Sequence, residues 1–257
     1  MARSQKITLE VCAYSVEAAI AAQAAGADRV ELCASPSEGG TTPSSGNIIV
    51  ARQSLKIELH VLIRPRGGDF LYSPREFQTM QEDIQFCRES GIDGVVLGVL
   101  LPDGDVDRER CHNLVQSARP MSVTFHRAFD MTRNARQSLE DVIATGCDRI
   151  LTSGQANSAV EGAPLIRGLV QQAGERIIIM PGAGINEENF AKLIERTGAH
   201  EFHTSARTGV PSDMLFRNPR VTLGSTPEKE YELLTIDPKR IEKMREIARQ
   251  LVAQQPT

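Results

Sequence analysis

The sequence predicts a single-domain (β/α)8 TIM barrel. Eight short apolar runs bounded by turn residues alternate with longer stretches of helical periodicity, and the alternation keeps its character along the chain. Each unit is roughly 20 to 35 residues, long enough for the right-handed crossover that joins parallel neighbours. The 257 residues, 40% of them hydrophobic, suffice for one large core. An open doubly wound sheet is the rival architecture. It is disfavoured because the first strand runs from Cys12 into Ala13-Tyr14-Ser15 instead of a glycine-rich phosphate turn.

The elements follow in order. A strand over 8–12 leads to a helix over 15–25 that stops at Gly26, and a strand over 29–33 leads to a helix over 46–54. The third unit pairs a strand over 58–64 with a helix over 74–90 ending at Gly91; the fourth pairs 94–97 with 107–118. The fifth joins 122–126 to 135–145 before Gly146, the sixth 149–152 to 162–173, and the seventh 176–180 to 187–196 ahead of Gly198. Glycine at these stops suits the left-handed residue that closes many helices. The eighth strand covers 201–204. Residues 206–236, with Pro211, Pro219 and Pro227, read as an irregular segment that covers the barrel mouth or reaches a partner subunit, and 237–254 as a C-terminal helix.

Composition narrows the partners. The net charge is -4, and Lys and Arg are scattered, which argues against nucleic acid and a polybasic membrane patch. No apolar run approaches the roughly 18 residues that span a bilayer, and Met1-Ala2-Arg3-Ser4-Gln5-Lys6 leads into strand-like sequence with no signal-peptide core. Five cysteines, an odd number in a large domain, point to reduced thiols and a cytoplasmic location.

Leu9-Glu10-Val11-Cys12 and Val30-Glu31-Leu32-Cys33 repeat an acid-apolar-thiol pattern on the first two strands. Side chains two apart share a strand face, so Glu10 with Cys12 and Glu31 with Cys33 project together, opposite the apolar residues. A carboxylate on an interior face must be paired, protonated or bound to something. Barrel active sites gather at the C-terminal strand ends, and polar residues fall there: Arg64 at the end of the third strand, His126 at the end of the fifth with Arg127 and Asp130 just beyond, Gly182 and Gly184 after the seventh, His203 and Ser205 at the eighth. His60 sits lower in its strand and reads as a core histidine. Cys87, Cys111 and Cys147 read as structural.

The chain resembles the CutC family, the copper homeostasis proteins. The stretches that carry the resemblance include Gly26-Ala27-Asp28-Arg29-Val30-Glu31-Leu32-Cys33, Glu38-Gly39-Gly40-Thr41-Thr42-Pro43-Ser44, Ile63-Arg64-Pro65-Arg66-Gly67-Gly68-Asp69-Phe70, Val123-Thr124-Phe125-His126-Arg127-Ala128-Phe129-Asp130 and Met180-Pro181-Gly182-Ala183-Gly184-Ile185. They run from the first strand to the eighth. The resemblance implies a TIM-type barrel, cytosolic and often a homodimer, linked to copper tolerance.

Two functional readings stand. In the first, Cys12 and Cys33 hold Cu(I), a soft ion that takes thiolates readily, while Glu10, Glu31, Arg64 and His126 shape the pocket. In the second, the barrel is an enzyme acting on a small anionic carboxylate or phosphate. Glu10, Glu31 or His126 would serve as acid or base, and Arg64, Arg66, Arg127, Asp130, Gly182, Gly184, His203 and Ser205 would bind the anion. A structural ion network of Glu10 or Glu31 with Arg64 or His126 is the bland alternative to a site.

Overall fold

The strands are β1 (Thr8–Ala13), β2 (Arg29–Leu32), β3 (Glu58–Leu62), β4 (Gly94–Leu97), β5 (Ser122–Phe125), β6 (Arg149–Thr152), β7 (Ile178–Pro181) and β8 (Glu201–Thr204). In this computed structural model, which describes residues 6–221 and 230–253, they form one parallel sheet ordered β7-β6-β5-β4-β3-β2-β1-β8. β7 and β8 lie side by side and complete the ring. The helices are α1 (Val16–Ala24), α2 (Ser45–Ser54), α3 (Pro74–Glu89), α4 (Arg108–Ala118), α5 (Ala135–Thr145), α6 (Ala159–Ala173), α7 (Phe190–Thr197) and α8 (Pro238–Ala253). The fold is the predicted (β/α)8 barrel.

Alternation along the strands sets what lies inside. On β1 and β2, Leu9, Val11, Val30 and Leu32 join the main apolar core, and the residues between them, Glu10, Cys12, Arg29 and Glu31, are also buried. Since parallel strands bury both faces, the helices take the apolar side and the barrel interior takes the charged one. Local signals set the helices. Ser73 and Glu76 form a capping box with Pro74 opening α3, and the four stops at Gly26, Gly91, Gly146 and Gly198 all have positive φ.

Several boundaries differ from expectation: β7 starts at Ile178 and α7 at Phe190, two and three residues late. β3 ends at Leu62, two residues early, because the Arg64 backbone N–H leaves the ladder for Thr42 Oγ1. α6 starts at Ala159, where the Ser158 hydroxyl accepts from Glu161 N–H. Its Gly162 packs so near β6 that a Cβ there would lie 1.8 Å from the Ser153 carbonyl oxygen. The segment read as irregular over 206–236 instead opens with β9 (Arg207–Pro211) and closes with β10 (Glu232–Ile236), paired antiparallel. Its residues 222–229 lie outside the described residues, as do residues 1–5 and the end of the helix expected to reach 254. No helix among the described residues is long and apolar enough to cross a membrane.

Candidate metal centre

The barrel floor is ionic. Arg29, 2% exposed, donates from Nε to Glu10 Oε2 at 2.5 Å and from Nη2 to Glu201 Oε2 at 2.7 Å. Arg149 Nε reaches the same Glu201 oxygen at 2.6 Å. His203 Nδ1 meets the other Glu10 oxygen at 2.7 Å. Buried charge is tolerated when each partner is hydrogen-bonded in this way. Burial alone would raise the Glu10 carboxyl, but Arg29, then His203 and His60, hold it well below the usual carboxylate range. An ion network, the alternative weighed against a site, is thus present around Glu10, but its partners are Arg29 and His203. Arg64 and His126 take no part in it.

The thiols lie one step nearer the mouth. Cys12 is opposite Glu31 in the β1–β2 register. The Cys12 and Cys33 Sγ atoms are 3.6 Å apart, and Cys33 Sγ lies 3.5 Å from Glu31 Oε2. Ligand atoms of Cys12, Glu31 and Cys33 all fall within 4.8 Å of one another. The hydrogen bond from Cys33, aided by His203, draws the Cys12 thiol well below its ordinary value despite burial. Burial and the adjacent Cys12 push Cys33 well above it. Burial also raises the Glu31 carboxyl to about 8 against the pull of His203. Burial opposes charge on His203, yet Glu31, Cys12 and Glu10 raise it well above its usual range. The cluster thus favours charge on Cys12 and His203 and disfavours it on Cys33.

A cavity of about 890 Å³ opens above these groups at the C-terminal end of the barrel. Cys12, Glu31, Cys33, Arg64, His126 and His203 are in its wall; Glu10 is not. Gly184 and Ser205 also line it. Gly182 does not: its N–H donates to the Thr152 carbonyl, and a Cβ there would meet Leu151 at 2.5 Å. Arg66 stands outside the wall, bound to Glu76 Oε1 at 2.6 Å and Asp69 Oδ1 at 3.0 Å. Arg127 and Asp130 line the rim but are bound to each other at 2.8 Å. Asp130 also accepts from Thr152 Oγ1 and the Ser153 and Gln155 N–H groups, so it braces the loop after β6.

His60 is a core residue at 1% exposure. Cys87, Cys111 and Cys147 are buried away from the cavity, and burial pushes each thiol up, Cys87 and Cys147 to about 12. Sequence reasoning missed Tyr14, which packs on the thiol cluster, and Arg29, which holds the floor together. The period-two pattern pointed to both, since Tyr14 shares the face of Cys12 and Arg29 that of Glu31.

The CutC family profile matches residues 7–208. The chain is 55% identical over 223 residues to a family protein CutC of Chromobacterium violaceum, covering 87% of this chain and 90% of that protein. It is 47% identical over 245 residues to the copper homeostasis protein cutC homolog of Homo sapiens, covering 95% and 90%. Among solved structures, CutC from Streptococcus agalactiae matches with a TM-score of 0.74 at 36% identity, over 77% of this chain and 97% of that one. Phosphoribosyl anthranilate isomerase from Thermotoga maritima matches at TM-score 0.57 and 14% identity over 95% and 99%, a likeness of fold alone.

Proposed function

Since this chain belongs to the CutC family, we propose that it binds and sequesters Cu(I) through the thiolates of Cys12 and Cys33 in a reducing, cytoplasmic setting. The observation that carries the proposal is the pair of sulfurs 3.6 Å apart in the wall of an open cavity. With a metal–thiolate bond of about 2.3 Å, as for zinc, sulfurs at that separation share one ion at an angle of roughly 100°. Such a bent pair leaves a third position free. Soft Cu(I) favours thiolates over carboxylates, so the two sulfurs hold the ion, and Glu31 and His203 set the proton and charge balance around it. Copper is cargo in this scheme. At 5% and 3% exposure, Cys12 and Cys33 admit an ion more readily than a bulky reagent.

The test is competition for Cu(I) against a chromogenic chelator, with Cys12→Ser/Cys33→Ser beside the parent protein. The parent should withdraw stoichiometric Cu(I) and the double variant none. Equal withdrawal by both, or binding of Zn(II) in preference to Cu(I), would sink the proposal. The same reading includes a homodimer, for which exposed Met214, Leu215 and Phe216 offer an apolar surface; light scattering on the purified chain checks it.

A further inference from the structure

We infer that the mouth cavity is also a binding site for a small organic carboxylate, its two oxygens received by Arg64 and His126. A lone ion has no use for about 890 Å³, a volume inside the roughly 300–1,000 Å³ range of small-molecule pockets. The charge of Arg64 is the sharper argument. Three arginines are buried among the described residues. Arg29 and Arg149 are met by carboxylates. Arg64, 6% exposed, has no carboxylate within 4.0 Å among the described residues. Its Nη1 donates to the Glu38 and Gly40 carbonyls at 2.6 and 2.7 Å, its Nη2 to Gly68 at 2.7 Å, and its Nε to nothing. A guanidinium taken out of water against neutral carbonyls, the Phe70 ring and the Tyr72 hydroxyl still lacks its counter-ion.

His126 supplies the second donor. Its Nδ1 accepts the Ala128 N–H at 3.1 Å, so the neutral ring carries its proton on Nε2, which is buried with no partner. The ring is neutral because burial and then Arg64 depress it to about 3. Phe70 ties the two donors to one corner, lying 5.0 Å from Arg64 Cζ and 4.9 Å from the His126 ring. One positive charge without a counter-ion and a neutral ring donor in the wall of the same cavity suit the single charge and two oxygens of a carboxylate, which Arg64 Nε and His126 Nε2 would turn outward from their buried positions to meet. Phe70, Leu62 and Leu151 give an organic body apolar wall to rest on.

This site is independent of the copper reading, and the experiment keeps them apart. Benzoate and succinate are titrated by calorimetry into the full chain, with benzamide as neutral isostere and phenyl phosphate as competing anion class. The carboxylates should bind saturably, benzamide should not, and phenyl phosphate should bind more weakly. His126→Phe and Arg64→Lys should each weaken carboxylate binding about tenfold, the loss of one hydrogen bond to a charged group. Cys12→Ser/Cys33→Ser should retain it. Arg64 also anchors loop carbonyls, so the parent chain carries its own readout: the Arg64 Nε–H and His126 Nε2–H NMR signals should move on saturation with benzoate. No saturable carboxylate binding, binding matched by benzamide, tighter binding of phenyl phosphate, or unmoved signals would overturn the inference.

Discussion

His203 Nδ1 stands 2.7 Å from Glu10 Oε1 across the β1–β8 seam, at the step where the two residues face each other in register. This contact joins the floor to the thiol cluster, because the opposite ring nitrogen lies 3.7 Å from Glu31 Oε2. Glu10 thereby bridges Arg29 and His203, two buried cations that would otherwise repel each other. Glu10→Gln should cost stability at the lower end of roughly 3–5 kcal/mol, since Arg29 keeps Glu201. Urea denaturation at neutral pH measures it, and a midpoint equal to that of the parent would refute the account of the floor.

Acid should act through the same carboxylate. A folded-state value held below the ordinary 4.5 means that the unfolded chain binds the extra proton. Stability from Glu10 is thus present above 4.5 and lost as pH falls beneath it. Glu10→Gln should narrow the stability gap to the parent as pH drops through this window, as thermal melts at stepped pH would reveal.

The imidazole has the opposite sign. With His203 raised well above 6.5, its contribution is complete below 6.5 and declines as pH climbs toward the folded value. The loss is about 1.4 kcal/mol per pH unit within that window. His203→Asn should flatten the alkaline limb of the stability profile. An unchanged alkaline slope in the variant would argue that the ring is neutral in the folded protein.

Gly94 tests packing instead of charge. It is the β4 partner of His60, and a Cβ at that position would lie 2.4 Å from His60 Nε2, in a ring with 1% exposure and no room to retreat. Gly94→Ala should destabilise by about 1–3 kcal/mol, the usual penalty of overpacking. A companion Gly91→Ala meets no atom within 4 Å, and φ of +69° leaves only backbone strain. Chemical denaturation of the pair separates clash from strain.

The barrel and the inward acid-thiol face were legible because both rest on periodicity: Leu9 and Val11 out, Glu10 and Cys12 in, repeated on β2. Which charge meets which was not. Arg29 and Glu201 are 172 positions apart and touch only because the ring brings β2 and β8 to either side of β1. Arg64 and His126, placed by sequence in one pocket with Glu10, instead stand apart from it because β3 and β5 stop before them and their side chains turn to the loops. The β9–β10 pairing was hidden by prolines, which suggested irregular chain where Pro211 sits at the end of the exposed strand β9.

Copper uptake should depend on pH through Cys33 and Glu31. The ion needs thiolates, and while the Cys12 thiol is drawn down, Cys33 is pushed up by burial and its neighbour, so binding must expel the Cys33 proton. Each proton released strengthens apparent affinity about tenfold per pH unit. Glu31, raised to about 8 beside Cys12, His203 and Glu10, adds a second step. As it ionises, its charge attracts the cation from 3.5 Å beyond Cys33 Sγ. Cu(I) affinity of the parent should therefore rise with pH most steeply below about 8, where binding also expels the Glu31 proton, and less steeply above it, whereas Glu31→Gln should keep the thiol dependence and lose the extra slope. Chelator competition at stepped pH resolves the two profiles. A flat profile in the parent would contradict the assignment of Cys33, and superimposable profiles would contradict that of Glu31.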